Sequence, residues 1–140
     1  MSVGKIAAEL GKVPMFAGCS QRELQVVARA VREVGHKAGT VIAREGEPGI
    51  GLFVIREGTA SVTIGGSRKG TLGAGEFFGE IALLDGGPRT ATVTAETDVQ
   101  LLGLTEWVFR GLVQEHPSIA VKTLQAMASR LRSATQAATV

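Results

Sequence analysis

The chain of 140 residues has a mass of 14.5 kDa, the size of one domain whose core is stable without disulfides or metals. Apolar residues make up 44% and charged residues 20%, which excludes a disordered chain, and a formal charge of +2 is too small for a nucleic-acid-binding surface. Apolar runs span at most four residues, which excludes a membrane helix, and the sequence begins without a signal-peptide pattern.

Two short helices are predicted before residue 32. The first has an apolar face of Ile6, Ala7 and Leu10 at helical spacing. The second begins at Ser20, which forms an S-x-x-E capping box with Glu23, so that each side chain satisfies a free amide of the first turn. Its apolar face consists of Leu24, Val27, Ala28 and Val31.

Between residues 32 and 104 the pattern changes to short apolar runs separated by glycines. Ala60, Val62 and Ile64 alternate with polar residues, which is the period of a β-strand. Many short strands joined by glycine turns predict an antiparallel β jelly-roll barrel (a double-stranded β-helix) in an α+β domain. The predicted strands are Thr40–Ala43, Gly51–Ile55, Thr59–Ile64, Gly70–Leu72, Phe77–Phe78, Arg89–Ala95 and Val99–Leu104.

The sequence returns to helix after residue 104. Thr105 is placed to cap a helix that runs through Trp107, Phe109 and Leu112, and Pro117 suits the first turn of another. That last helix carries an apolar stripe of Ala120, Leu124, Met127 and Leu131. We therefore expect a single domain over residues 1–140, with helices up to about residue 31, a barrel over 32–104 and two helices over 105–135.

The segment 79–87 interrupts the β pattern. Its Ile-Ala-Leu-Leu core predicts a helix of one or two turns, and Gly79 at its start leaves the free amides open to an anion such as phosphate. Arg89 follows ten residues later and adds a permanent cation that binds phosphate oxygens in pairs. Glu80 suits a ribose hydroxyl, or it is a surface carboxylate paired with Arg89. The alternative for the whole segment is a crossover helix packed on the barrel.

Two motifs in this segment resemble those of a known family. Phe78–Leu84 reads F-G-E-I-A-L-L and Pro88–Val93 reads P-R-T-A-T-V. Together they resemble the phosphate-binding cassette of the cyclic nucleotide-binding domain family, here at residues 78–93. The turn region 39–49 and the strand Phe53–Gly58 also resemble this family, so the likeness extends from about residue 13 to residue 132. The family includes sensor domains of bacterial catabolite activators, cyclic-nucleotide-gated channels and kinase regulatory subunits.

The resemblance implies a role for each matching residue. Arg89 would pair with the exocyclic oxygens of the cyclic phosphate, and Glu80 would accept a hydrogen bond from the ribose 2′-OH. Thr90 would offer its hydroxyl to the phosphate or the purine. The remaining implied ligand contacts are the amides of Gly79, Glu80, Ile81 and Ala91, Ala82 in the cassette helix, the apolar side chains of Val62 and Phe78, and Arg130 at the base.

The resemblance also implies a sensor with no cofactor and no catalytic residue. The last helix would act as a lid over the base, and the output would come from a separate or missing partner domain. The implied ligand is cAMP, because the likeness is greatest to bacterial sensors, while Thr90 is compatible with cGMP as well. The alternatives are an interaction module that keeps the fold without the ligand, and a fragment of a larger channel, kinase or regulator.

Other functional classes have little support in the sequence. His36 and His116 lie far apart, so the histidine cluster of a metal-dependent cupin is missing. The single cysteine, Cys19, excludes an intrachain disulfide and predicts a reducing, cytoplasmic compartment. The chain ends at Val140, without room for a helix-turn-helix after the lid helix, and the basic pair at 68–69 is too small a patch. We expect neither nucleic acid nor a membrane as a partner.

Overall fold

The computed structural model describes residues 2–49 and 51–138, which divide into two compact units. The first, called here the β unit, comprises residues 30–109, and the second, the helical unit, comprises residues 2–29 and 110–138. Within the described residues, eight antiparallel strands form two four-stranded sheets. This arrangement is jelly-roll-like and confirms the predicted α+β class.

The β unit holds all eight strands. One sheet has the order β1-β8-β3-β6 and the other the order β2-β7-β4-β5, so neighbours in space are mostly distant in sequence. The strands are β1 (Arg32–His36), β2 (Val41–Ala43), β3 (Gly51–Glu57), β4 (Ala60–Ile64), β5 (Ser67–Leu72), β6 (Phe77–Phe78), β7 (Thr92–Ala95) and β8 (Val99–Thr105).

The core of the β unit is built from the facing sides of the two sheets. Period-two alternation places Ile55 and Leu101 of one sheet, and Ala60 and Val93 of the other, in a single apolar cluster. Each large apolar side chain buried in this way contributes roughly 1.5–3 kcal/mol. The cluster also contains Phe78, the last residue of β6, so the core extends to the start of the segment 79–87.

Five α-helices complete the described chain. They are α1 (Val3–Leu10), α2 (Gln21–Ala30), α3 (Glu80–Asp85), α4 (Glu106–Glu115) and α5 (Pro117–Ala138), with a 3₁₀ turn at Pro14–Phe16. The helix α3 lies between β6 and β7, as the interruption of the β pattern predicted. Among the described residues, none of these helices combines the length and the apolar character needed to cross a bilayer.

The predicted helix caps are present. The amide of Ser20 donates to Oε1 of Glu23 at 2.8 Å, and the amide of Glu23 donates to Oγ of Ser20 at 3.2 Å, which is the reciprocal capping box. Oγ1 of Thr105 accepts a hydrogen bond from the amide of Val108 at 3.2 Å and caps α4. Pro117 is the first residue of α5, where its missing N–H has no consequence.

Three strands differ from the sequence prediction. The strand β5 begins at Ser67 rather than Gly70, because Ser67 and Arg68 pair with Ile64 and Thr63 of β4. The strand β1 was not predicted, because Arg32–His36 contains a single large aliphatic residue, Val34, and forms an edge of its sheet. The strand β7 begins at Thr92, three residues later than predicted, because Arg89–Ala91 form an irregular segment first. Val31, assigned to the apolar face of the second helix, lies between α2 and β1.

The buried face of α5 differs from the stripe read from the sequence. Ile119 and Thr123 are the buried residues of this helix, whereas Leu124 and Leu131 are 68% and 69% exposed. In α4, Phe109 and Leu112 are buried as the pattern indicates, but Trp107 is exposed. The helical unit therefore leaves much of its apolar stripe in contact with solvent.

Candidate functional site

One pocket of the β unit gathers eight of the ten residues predicted from the sequence. It has a volume of about 50 Å³ and lies where β6, α3 and the segment before β7 meet. Ala43, Pro88 and Val93 line it in addition. The predicted residues that line it are Phe78, Gly79, Glu80, Ile81, Ala82, Arg89, Thr90 and Ala91. Residues ten positions apart in sequence therefore face one another across a small space.

Gly79 is required at its position for two reasons. Its φ of 90° lies in the left-handed region, which residues with a Cβ rarely adopt. A Cβ on Gly79 would also overlap Nη1 of Arg89 and the carbonyl oxygen of Gly51. The glycine thus permits a close approach between the start of α3 and the Arg89 guanidinium.

The first turn of α3 presents unbonded amides at the pocket. The first hydrogen bond within the helix runs from the amide of Leu83 to the carbonyl of Gly79 at 3.0 Å. The amides of Glu80, Ile81 and Ala82 precede that bond, and all three residues line the pocket. Free amides at a helix start carry partial positive charge and suit an anion.

Arg89 is held rigidly although its side chain is long. Its main chain is fixed on both sides, since its amide donates to the carbonyl of Glu47 at 2.8 Å and its own carbonyl accepts from the amide of Gly46 at 2.9 Å. Its Nη1 donates to the carbonyl of Gly51 at 2.9 Å, and its guanidinium carbon lies 5.7 Å from the centre of the Phe53 ring. The residue is only 7% exposed.

The charge of Arg89 has no anionic partner in the part of the chain that the structure describes. Burial lowers the pKa of its guanidinium, because desolvation disfavours the charged form. The pairing with Glu80 that the sequence left open is not formed, although both residues line the pocket. A buried cation bound to a neutral carbonyl and an aromatic ring is costly, and an anion in the pocket would offset that cost.

Thr90 and Ala91 line the same pocket as Arg89. Successive residues of a regular strand point to opposite sides, so this arrangement needs an irregular backbone. The structure provides it, because β7 starts only at Thr92 and Pro88 forms an isolated bridge with Pro48. The proline cannot donate to a regular ladder and delays the start of the strand.

Two predicted residues lie outside the lining. Val62 lies in β4 beside Val93 of β7 and packs against the core cluster. Arg130 is an exposed residue of α5 in the helical unit. Among residues 2–49 and 51–138, no group of three His, Cys, Asp or Glu side chains could hold a metal ion.

Sequence reasoning missed two residues that orient Arg89. The carbonyl of Gly51 accepts its hydrogen bond, and the Phe53 ring lies beneath its guanidinium and stacks on Phe78 with ring centres 5.4 Å apart. Both residues belong to β3, 36 to 38 positions before Arg89. A main-chain acceptor leaves no signal in side-chain chemistry, and only the strand alternation could have indicated that Phe53 faces inward.

Comparison with known proteins identifies the family of the chain. Residues 33–116, which include every lining residue, match the family model described as the cyclic nucleotide-binding domain. The chain belongs to the cyclic nucleotide-binding domain family. The crystal structure of the N-terminal domain of a transcriptional regulator from Streptomyces coelicolor A3(2) is 32% identical with a TM-score of 0.86, and the match covers 92% of this chain and 96% of that one.

The curated relatives are longer proteins, of which this chain matches a part. A cyclic nucleotide-gated potassium channel of Mesorhizobium japonicum is 44% identical over 108 residues, which is 77% of this chain and 30% of the channel. A CRP-like cAMP-activated global transcriptional regulator of Mycobacterium tuberculosis is 29% identical over 130 residues, which is 88% of this chain and 57% of the regulator. The matched segments thus span 30% to 57% of the length of these relatives.

Proposed function

We propose that this cyclic nucleotide-binding domain is a sensor of cAMP, with the ligand's phosphate in the pocket around Arg89. The observation that carries the proposal is the buried, unbalanced charge of Arg89, which lies beside the free amides of α3. A cyclic phosphodiester has one negative charge and two exocyclic oxygens. The anion would receive paired hydrogen bonds from the guanidinium and single ones from the main chain.

The sugar and base contacts follow from the same pocket. Glu80 is half-buried in the lining and would accept a hydrogen bond from the ribose 2′-OH. The hydroxyl of Thr90 would meet the phosphate or the purine. The amides of Gly79, Glu80, Ile81 and Ala91 would complete the polar contacts, Val62 and Phe78 would supply apolar ones, and Arg130 would reach the base.

The choice of cAMP over cGMP rests on the relatives. The regulator of Mycobacterium tuberculosis is named as cAMP-activated, and its matched segment covers 88% of this chain. Thr90 is compatible with either purine, since its hydroxyl can reach the phosphate in both complexes. We propose cAMP as the preferred ligand and cGMP as the weaker one.

Binding would be transmitted through α5. Leu124 and Leu131 expose more than two thirds of their surface, so docking of this helix would bury further apolar surface. A ligand that contacts both the cassette and α5 favours the state in which the helix is docked over the base. The output would come from a partner domain or protein, and a reducing, cytoplasmic location stays a prediction that rests on the single cysteine.

Calorimetric titration with three nucleotides tests the proposal. We expect cAMP to bind with one-to-one stoichiometry, cGMP to bind more weakly, and linear 5′-AMP to bind at least about tenfold more weakly than cAMP, because its dianionic, uncyclised phosphate does not fit the same contacts. Saturating cAMP should also raise the melting temperature, since it binds only the folded state. Absence of binding by both cyclic nucleotides would instead favour an interaction module that keeps the fold without the ligand.

A further inference from the structure

A second, larger cavity lies in the β unit. It has a volume of about 320 Å³ and is lined from both sheets, by Val34 of β1, Ile42 of β2, Phe53 of β3 and Gly103 of β8. Its wall is mainly apolar, and its size is that of a small-molecule site. Within the described chain, none of the residues that line the Arg89 pocket lines this cavity.

The space exists because residue 103 is a glycine. A Cβ at Gly103 would come within 3.1 Å of Phe53 and 3.8 Å of Val34, so any larger side chain there would project into the cavity. Gly103 pairs with Phe53 across β3 and β8, in the middle of the sheet, where glycine is otherwise unfavourable. No side chain fills the space beside Gly103 at this central position of the sheet, and an apolar cavity results.

The polar groups of this cavity are cationic or neutral. Arg32 and His36 lie on the same face of β1 as Val34, because the strand alternates with a period of two. Within residues 2–49 and 51–138, the Arg32 side chain is exposed and has no ion pair, whereas Glu33 on the opposite face is paired with Arg56. An apolar wall beside an unpaired guanidinium is complementary to a hydrocarbon chain that ends in one anionic group.

Two residues that line the cavity also contact Arg89. Gly51 and Phe53 both line it, while the Gly51 carbonyl accepts the Arg89 hydrogen bond and the Phe53 ring lies under the guanidinium. An occupant that packs on Phe53 would restrict the ring that supports Arg89. Two sites that bias the same structural element are coupled, and the coupling is reciprocal.

We propose that this cavity binds a small amphiphile with a hydrocarbon body and a single carboxylate, and that its occupancy tightens nucleotide binding at Arg89. The body would lie against Val34, Ile42 and Phe53, and the carboxylate would face Arg32. The proposal that the cavity binds an amphiphile does not rest on the proposed function. Only the coupling rests on the proposed function.

Titration calorimetry with decanoate, below its micelle concentration and without nucleotide, tests the site. We expect saturable one-to-one binding, with decanol binding roughly tenfold more weakly because it lacks the charge that faces Arg32. Arg32→Ala should weaken decanoate by about the same factor and leave decanol unchanged. Arg22→Ala, which removes an exposed arginine from α2, is the matched control and should change neither.

The shape of the cavity is tested separately. Gly103→Val should abolish binding of both decanoate and decanol by filling the space, and a melting curve checks that the variant folds. Equal affinities for the acid and the alcohol, or an unaltered decanoate titration in Arg32→Ala, would overturn the proposed site. Arg32 is exposed, so Arg32→Ala should fold even if Gly103→Val does not.

The coupling is measured by titrating cAMP with and without saturating decanoate. We expect cAMP affinity to rise about fivefold, at the lower end of measured couplings, and decanoate affinity to rise by the same factor when cAMP is saturating. Unchanged cAMP affinity in the presence of bound decanoate overturns the coupling. Failure of cAMP to bind at all contradicts the proposed function, while the decanoate titration still decides the cavity.

Discussion

The carbonyl of Gly51 accepts a hydrogen bond from Nη1 of Arg89 at 2.9 Å, although the two residues are 38 positions apart. A guanidinium has five N–H donors, so this single bond orients the side chain and leaves other donors for a ligand. The Phe53 ring, 5.7 Å from the guanidinium carbon, restricts it from one face. The cation is therefore preorganised before an anion arrives, and the ordering cost of binding is reduced.

Arg89→Ala should reduce cAMP affinity more than any other single change in the pocket. The expected loss is about 2–5 kcal/mol, the range for removing one member of a buried, hydrogen-bonded charge pair. Calorimetric titration measures it, with Arg22→Ala on the helix α2 as a control that removes the same charge from an exposed site. Equal affinities of the wild type and Arg89→Ala would show that the phosphate binds elsewhere.

Gly79→Ala tests whether the close approach at Arg89 is needed. The substitution combines a φ of 90° with overlap of Arg89 and Gly51, so it should lower both the free energy of unfolding and cAMP affinity. Gly39→Ala is the matched control, because Gly39 has a φ of 88° but no atom within 4 Å of the Cβ that alanine would add. Backbone strain alone should cost Gly39→Ala about 1–2 kcal/mol of unfolding free energy.

The difference between the two glycine variants isolates the overlap. We expect Gly79→Ala to be at least about 1 kcal/mol less stable than Gly39→Ala in urea unfolding, since the clashing atoms are a main-chain carbonyl and a pinned guanidinium. Only Gly79→Ala should weaken cAMP binding. Matching stabilities and matching affinities would mean that the contact with Arg89 is unimportant.

Glu80→Ala should remove discrimination between ribose and deoxyribose. Loss of one hydrogen bond to a charged acceptor costs about 1–3 kcal/mol, so cAMP should weaken by that amount while 2′-deoxy-cAMP changes little. The measurement is the ratio of the two affinities in the wild type and in the variant. Glu57→Ala, at an exposed position of β3, should keep the wild-type ratio. A ratio that persists in Glu80→Ala contradicts the ribose contact.

The sequence predicted the parts of this site that depend on local chemistry. Gly79, Glu80 and Arg89 are recognisable because a helix start, a carboxylate and a guanidinium occur within eleven residues of one another. The Ser20–Glu23 capping box was likewise readable, since both partners lie within one helical turn. These features need only the spacing of side chains along the chain.

Features set by long-range packing were not readable. The role of Gly51 depends on its main-chain oxygen, which accepts a hydrogen bond from Arg89 because the fold brings residues 38 positions apart together. The edge strand β1 has too little alternation to signal a strand and is fixed by its pairing with β8. The buried face of α5 is centred on Ile119 and Thr123, whereas the apolar spacing alone favoured Leu124 and Leu131.

The stability of the helical unit should depend on pH below about 4.5. The pKa of Glu23 is lowered from 4.5 to about 2, first by its hydrogen bond from Lys122 of α5 and then by those from Ser118 and Ser20. Because the folded-state pKa is depressed, this contribution is fully present above the unfolded pKa and is lost as pH falls from about 4.5 towards 2. At neutral pH it amounts to about 2 kcal/mol once solvent screening of the partly exposed pair is allowed for.

Glu23→Gln isolates that contribution. Urea unfolding at pH 7 should find the variant about 2 kcal/mol less stable than the wild type. The difference in unfolding free energy should shrink as pH falls towards about 2.5, because the Glu23 carboxylate of the wild type then becomes protonated and loses its contribution to stability. Glu115→Gln, at an exposed position of α4, should follow the wild-type curve. A stability gap that does not change with pH would mean that Glu23 acts through packing alone.

Hydrogen exchange should reveal the coupling between the cassette and α5. Leu124 and Leu131 are largely exposed, so docking over a bound base would bury new apolar surface and slow the exchange of amides in residues 118–134. We expect at least about tenfold slower exchange there in saturating cAMP, and a smaller effect in Leu124→Gln, whose exposed position makes the unliganded fold insensitive to the change. Since Leu124→Gln leaves Arg89 and Glu80 intact, it should still bind the phosphate and sugar. The control is calorimetry, which sets a cAMP concentration that saturates the site. Identical protection of residues 118–134 with and without cAMP at that concentration would show that cAMP binds without docking of α5.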